Sequence, residues 1–229
     1  MPAADPRYDL PHARGNLGAA RVAVLDTGLS SVVPVDALFD FSGTGVRANV
    51  THGTRMVQTL RAVAPAARVW YYKVIDGYKD VTGDAYGHMA AAVAHAVASD
   101  VQAISISVAG YTGGAVDSRL QSAVAAALAK GVGVFAAAGD ARTPTAPMPA
   151  GLAGVCRCAW DQLILPWSTA CWPTGNGMSS DATAAICGAY CLWGNCNGNF
   201  GRVANPFAYW RDGDLPRTRR NGVPYCGDL

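Results

Sequence analysis

Three kinds of side chain in this sequence could together carry out nucleophilic catalysis: a carboxylate, an imidazole and a hydroxyl. Asp26 follows an apolar run in VAVLDTG, His52 lies in THGTRMVQTL, and Ser179 and Ser180 stand together in GNGMSSDATAAICGAY. In such a set the carboxylate orients the imidazole, which accepts the hydroxyl proton as the oxygen attacks. Each residue alone is explained as a turn former or a helix cap. Only an element arrangement that brings them together would indicate chemistry.

The elements that would position these residues alternate between strand and helix. Apolar, β-branched runs predict five strands, and Ala-rich helical segments precede the third and fourth of them. Ser118 and Gln121 are spaced as a capping box, and Gly131 is placed to end that helix. This alternation predicts an α/β fold, a mostly parallel twisted sheet covered by helices on both faces. The five runs are ARVAVLDTG, RVWYYKVID, VQAISISVAG, GVGVFAAAGD and GVCRCAWD.

Asp26 and Asp140 each close one of these runs, and the carboxyl ends of parallel strands are where such sheets gather reacting groups. Apolar residues at helical spacing after His52 place it at the amino end of an amphipathic helix, whose dipole disfavours a charged imidazole. The two serines follow a Gly-rich turn at the start of a small-residue helix, where backbone N–H groups favour a developing oxyanion. His88 and His95 are interpreted as structural.

Composition favours one domain over residues 1–229, with an N-terminal arm, 1–19, and a Gly- and Asn-rich tail, 193–229. The chain of 229 residues is 51% hydrophobic and 15% charged, and its net charge is +2. Basic residues form no stripe, so nucleic acid is not an expected partner. No apolar run is long enough to span a bilayer, so no membrane association is expected, and the first residues lack the apolar stretch of a signal peptide.

All seven cysteines fall in the last third of the chain, so at least one thiol is not part of an internal disulfide. Their spacing matches no zinc-ligand pattern. One to three local disulfides, or buried small thiols, are expected. Cys187 and Cys191, four residues apart, share one face of the serine helix, where they either fill the core or tie the helix to the tail.

The order and the flanks of these motifs resemble the subtilisin-like serine protease family. The resemblance covers Ala20 to Leu192 and rests on VAVLDTG, HGT with VAP beyond it, ISISVAG, AAAGD, PAGLAGVCRCAWD and the serine helix. The chain order Asp, His, Ser is that of the family. The resemblance implies a three-layer fold and a serine endopeptidase that forms an acyl-enzyme intermediate.

The resemblance also implies a role for each matching residue. Asp26 matches the acid that orients the histidine, and His52 matches the general base. The segment Ser107, Val108, Ala109 and Gly110 matches the strand that pairs with an extended polypeptide substrate through main-chain hydrogen bonds.

Ser180 matches the nucleophile better than Ser179 does. The family pattern is Gly-Thr-Ser-Met-Ala-Thr/Ser-Pro with a helix glycine eight residues after the nucleophile, and only the Ser180 register aligns the alanine, the threonine and Gly188. Met178 replaces the family's glycine, Asp181 its methionine and Ala184 its proline.

Asp140 stands where the family has an asparagine whose amide donates to the oxyanion. An ionised carboxylate there would repel the oxyanion, and losing one such donor costs on the order of hundredfold to thousandfold in rate. A protonated aspartic acid still has one O–H donor. Burial beside the apolar strand is expected to favour that neutral form.

Two functions therefore remain open: an active endopeptidase that relies on neutral Asp140, and a degenerate fold of the same family with little or no turnover that acts as a binding or scaffold domain. An α/β-hydrolase esterase is excluded, because its G-x-S-x-G elbow is absent and no histidine follows His95.

The resemblance further implies accessory features. Relatives are commonly made with an inhibitory propeptide, whereas here only a short arm precedes the first predicted strand. A propeptide or inhibitor outside the chain is therefore an expected partner. No cofactor is expected. The resemblance allows structural Ca²⁺, for which DGYKDVTGD (Asp76, Asp80 and Asp84) is the candidate loop and a solvated turn the simpler interpretation. It also favours a secreted location, although the chain gives no compartment by itself.

Overall fold

The structure is a computed structural model that describes residues 20–77, 84–112, 115–140, 144–160, 168, 170–172 and 178–193. The predicted N-terminal arm and nearly all of the predicted tail lie outside these ranges. Four helices and seven strands occupy the described residues. In chain order they are β1 (Arg21–Asp26), β2 (Ala37–Asp40), α1 (Val50–Val63), β3 (Arg68–Lys73), α2 (Ala85–Ala98), β4 (Ala103–Ile106), α3 (Ser118–Ala129), β5 (Gly133–Ala137), β6 (Cys156–Trp160), β7 (Ala170–Trp172) and α4 (Ser179–Trp193).

The strands form one sheet in the order β2-β3-β1-β4-β5-β6-β7. Every strand pairing in this sheet is parallel, with Asp26 opposite Lys73 at the carboxyl ends of β1 and β3. The predicted parallel α/β architecture is confirmed. Sequence patterning missed β2 and β7, because four- and three-residue strands are too short to show a period.

Alternate residues of the sheet feed two apolar layers, as the two-residue period of a strand requires. Ala23 and Leu25 of β1 belong to the layer beneath α2 and α3, whereas Val22 and Val24 belong to the layer beneath α1 and α4. Helices therefore cover both faces of the sheet. Within the described ranges, no helix combines the length and apolarity needed to cross a bilayer.

Helix α3 ends as predicted but begins differently. Gly131 follows the C-cap Lys130 with a φ of 78°, a left-handed conformation that favours glycine. The N-cap is Asp117, whose side chain accepts from the backbone N–H groups of Arg119 and Leu120. The predicted Ser118 capping box is wrong, because Ser118 is already the first helical residue and the Gln121 N–H donates to the Asp117 backbone carbonyl oxygen at 3.0 Å.

The four cysteines whose side chains the structure describes are buried thiols. Cys156, Cys158, Cys187 and Cys191 line the core and form no disulfide. Cys187 and Cys191 share a face of α4, as their spacing predicts, and there they fill core space. Disulfides that involve the Cys171, Cys196 or Cys226 side chains lie outside the residues whose side chains are described.

Candidate active site

Asp26 and His52 form a buried pair at the carboxyl end of the sheet. Asp26 is the last residue of β1 and is fully buried, and His52 is the third residue of α1 and is 8% exposed. His52 Nδ1 lies 2.6 Å from Asp26 Oδ1, which also accepts from the Thr27 backbone N–H at 2.7 Å. In the tautomer protonated at Nδ1, this contact leaves Nε2 as the basic nitrogen.

A tyrosine side chain of β3 binds the turn that follows Asp26. The Tyr71 hydroxyl donates to the carbonyl oxygens of Thr27, at 2.9 Å, and Gly28, at 3.1 Å. Burial, followed by the nearby Asp26 carboxylate, raises the pKa of Tyr71, so it remains a neutral donor. Gly53 is required beside His52, because a Cβ there would lie 1.7 Å from the Tyr71 hydroxyl oxygen and 2.6 Å from the Gly28 carbonyl oxygen.

Ser180 is the second residue of α4 and is held against the end of β4. Its hydroxyl donates to the Ser107 carbonyl oxygen at 3.0 Å, and the Ser107 hydroxyl donates to the Ser180 carbonyl oxygen at 3.1 Å. Both serines are buried. This reciprocal pair fixes the serine backbone on the segment predicted to bind substrate.

Helix α4 passes through the centre of the layer it shares with α1. All side chains from Ser179 to Cys191 are buried. A Cβ on Gly188 would lie 2.9 Å from the Leu60 carbonyl oxygen and 3.2 Å from the Val63 Cβ of α1. A side chain at this position, eight residues after Ser180, would therefore clash with α1, so a glycine is required for the close approach of α4 to the helix that carries His52.

Asp140 follows β5 and contacts the serine turn through its carboxylate. The Ser179 backbone N–H donates to Asp140 Oδ1 at 2.6 Å, and the Asp140 backbone N–H donates to the Tyr111 hydroxyl at 3.1 Å. The predicted burial of Asp140 is wrong, because its residue is exposed at the cleft. The predicted proximity to the serine is present, since a backbone group of the preceding residue binds the carboxylate directly.

Of the four residues predicted to bind substrate, Gly110 already has a main-chain partner in the structure. Gly110 forms an antiparallel bridge with Met148, donating to its carbonyl oxygen at 2.9 Å and accepting from its N–H at 2.8 Å. Both main-chain groups of Gly110 are thereby used. Any added peptide strand would pair with Ser107, Val108 and Ala109.

Arg55 and Asp181 form an ion pair that the motif reasoning did not identify. Arg55 Nε of α1 lies 3.1 Å from Asp181 Oδ1 of α4, and Arg55 Nη2 lies 3.2 Å from Met178 Sδ. Burial raises the pKa of Asp181, an effect opposed by Arg55 and His52 and reinforced by Asp140. The sequence signals that could have indicated this ion pair are an arginine three residues after His52 and a carboxylate directly after Ser180.

The candidate calcium loop has its visible carboxylates engaged by basic side chains. Asp76 accepts from Lys73 at 2.6 Å, and Asp84 binds Arg119 at 2.6 and 2.7 Å. Asp80 lies outside the described residues. Among the residues that are described, no group of three or more His, Cys, Asp or Glu side chains could hold a metal ion.

Comparison with solved structures finds the same fold in other chains. A variant of the protease domain of PatA superimposes with a TM-score of 0.66 at 20% identity, covering 76% of this chain and 78% of that one. The prenylagaramide maturation protease PagA gives 0.64 at 20% identity, covering 79% and 76%. Sphericase gives 0.60 at 23% identity, covering 78% and 77%. These neighbours are subtilisin-like protease domains.

The chain has the subtilisin-like fold. No protein-family model and no curated protein sequence matches it. Because the sequence identities are near 20%, the likeness between this chain and these structures is one of fold, and fold alone does not establish an activity.

Proposed function

We propose that the chain is a serine endopeptidase in which Asp26, His52 and Ser180 form the catalytic triad. The observation that carries this proposal is the buried 2.6 Å contact between His52 Nδ1 and Asp26 Oδ1, at the same end of the sheet as the first turn of α4. An imidazole oriented by a carboxylate is the arrangement that activates a serine hydroxyl.

Catalysis would begin with a rotation of the Ser180 side chain. Its hydroxyl donates to the Ser107 carbonyl oxygen in the structure, and it must turn toward Nε2 of His52 for the proton to be removed. An incoming peptide strand that pairs with residues 107 to 109 competes for main-chain groups on this segment. Substrate binding would therefore release the hydroxyl from the contact that holds it.

His52 would then accept the proton as Ser180 Oγ bonds to the scissile carbonyl carbon. The imidazolium is stabilised by Asp26 and returns the proton to the leaving amine, which gives the acyl-enzyme; water reverses the sequence with the same base. The developing oxyanion faces backbone N–H groups at the start of α4 and the Asp140 side chain. An ionised carboxylate at Asp140 would oppose that charge, so this side chain is expected to slow turnover.

A second candidate function, a degenerate fold that binds polypeptide without turnover, is favoured by one observation. The Asp140 carboxyl group accepts from the Ser179 backbone N–H at 2.6 Å, beside the proposed oxyanion site, where an amide donor is expected from the family pattern. The two candidates differ in whether Ser180 is an activated nucleophile.

The experiment that separates them is labelling with a fluorophosphonate probe between pH 5 and 9. An endopeptidase reacts with the probe at a single serine, and Ser180→Ala abolishes the reaction while Ser179→Ala retains it. Peptide mapping of the modified chain identifies the site. Absence of labelling at every pH, in a protein shown to be folded by circular dichroism, would support the degenerate alternative and refute the proposed activity.

A further inference from the structure

The serine turn departs from the family pattern on both sides of its serine pair, and one arginine contacts both departures. Met178 and Asp181 bracket Ser179 and Ser180. Arg55 reaches Met178 Sδ through Nη2, at 3.2 Å, and Asp181 Oδ1 through Nε, at 3.1 Å. The guanidinium thus presents one nitrogen to each residue, as a hydrogen bond to Met178 and as an ion pair with Asp181.

Arg55 belongs to the helix that carries the base. It stands three residues after His52, nearly one turn along α1, so the two side chains lie on neighbouring parts of the helix surface. Asp181 directly follows the serine and is 4% exposed. The ion pair therefore joins the first turn of α4 to the second turn of α1, the two helices whose relative position sets the distance from His52 to Ser180.

We propose that Arg55 and Asp181 are positioning residues, which lock the first turn of α4 onto α1 and balance the charge around the His52 imidazole. This inference rests on the proposed function, since it concerns the reactivity of Ser180. A misplacement of about 1 Å between a nucleophile and its base can cost about a hundredfold in rate, so a contact of this kind controls activity without touching substrate.

Two carboxylates act directly on His52: Asp26 at the end of β1 contacts its Nδ1, and Asp181 of α4 interacts with it electrostatically. Arg55 of α1 and Asp140 after β5 interact with Asp181, and Tyr71 of β3, close to Asp26, stays neutral. Asp181 also faces Thr59 and Asp140. Removing the negative charge of Asp181 and removing the positive charge of Arg55 must therefore act on His52 protonation with opposite signs.

The test measures the fluorophosphonate labelling rate against pH for the unmodified chain, Arg55→Gln, Asp181→Asn and the apolar pair Arg55→Leu with Asp181→Met. Each single variant is expected to label about tenfold more slowly at its best pH. The midpoint, which is the pH at which the rate is half-maximal, is expected to be about half a pH unit lower in Asp181→Asn and about half a unit higher in Arg55→Gln. The apolar pair is expected to restore both the rate and the midpoint in large part, because it leaves no buried charge unpaired.

Arg68→Gln is the matched control. Arg68 Nε forms an ion pair with Asp36 at 3.2 Å at the beginning of β3, the opposite end of the sheet, so its loss should leave rate and midpoint unchanged. Each curve of rate against pH is normalised to the variant's own maximum rate, so a reduced folded fraction does not move the midpoint. Equal rates and midpoints in all variants would overturn the positioning role alone. No labelling of the unmodified chain would overturn this role together with the proposed function.

Discussion

In the proposed function, one atom of the side chain at position 140 is decisive: an oxygen, as in Asp140, opposes the oxyanion, whereas the nitrogen of an asparagine would stabilise it. Its Oδ1 accepts the Ser179 N–H, and an asparagine at the same position keeps an oxygen for that bond while replacing the second oxygen with an NH₂ donor. The exchange alters almost no volume. It changes the sign of the interaction with a developing oxyanion.

We therefore expect Asp140→Asn to hydrolyse peptides faster than the unmodified chain, by about tenfold to a hundredfold at pH 7 to 9, since one well-placed donor is worth at least that much. The measurement is kcat/KM against pH.

Asp140→Ala is the control for this prediction. It removes the carboxylate charge but also deprives the Ser179 N–H of its acceptor, so it should gain much less than the asparagine variant. An asparagine variant that is no faster than the unmodified chain at any pH would show that this side chain does not face the oxyanion.

At the scale of elements, the helices show which parts of the structure a sequence can specify. The start of α1 before His52 and the end of α3 at Gly131 were predictable, because each depends on local spacing. The N-cap of α3 was not, because Asp117 and Ser118 are both good capping residues and only the backbone conformation chooses between them. The Arg55–Asp181 pair joins segments 126 positions apart, so no local pattern could reveal it.

Replacing the observed cap tests the assignment for α3. Asp117→Ala is expected to lower the free energy of unfolding by about 1 kcal/mol, because two backbone N–H groups lose their acceptor. Ser118→Ala should change it by a few tenths at most. Urea denaturation of both variants measures the difference, and a larger loss in the Ser118 variant would restore the capping box predicted from sequence.

At the scale of the whole molecule, a buried lysine connects the sheet to the loop that leads into α1. Lys73 is fully buried at the end of β3, and its ammonium donates to the Gly45 carbonyl oxygen at 2.9 Å and to Asp76 Oδ1 at 2.6 Å. The Asp40 carboxylate organises the same loop by accepting from the backbone of Ser42, Gly43 and Gly45. The position of His52 thus depends on contacts that span three elements.

Lys73→Met should lower Tm by about 5–10 °C at pH 7, because it leaves a carboxylate and a buried carbonyl without their partner. The hydrogen bond from Lys73 is the largest cause that lowers the pKa of Asp76. A lowered folded-state pKa contributes stability that is present above the ordinary value of 3.8 and is lost as the pH falls through the folded value. The loss of Tm in the variant should therefore be smaller at pH 3 than at pH 7.

Thermal unfolding of the unmodified chain, Lys73→Met and the exposed-lysine control Lys130→Met at both pH values tests this expectation. Lys130 caps α3 at the surface, so its replacement should have little effect at either pH. A pH-independent loss in the Lys73 variant would mean that packing of its aliphatic chain, rather than its charge, stabilises the loop.

The burial of α4 has a consequence for how this molecule fails. The residues from Ser179 to Cys191 lie in the layer shared with α1 and the sheet, so we expect their amides to exchange with solvent only when the whole molecule opens. The first turn of α4 is therefore expected to have no melting transition of its own. On heating, the proposed reactivity of Ser180 and the global structure are expected to be lost on a single curve, so that the rate of probe labelling would report the fraction of folded molecules.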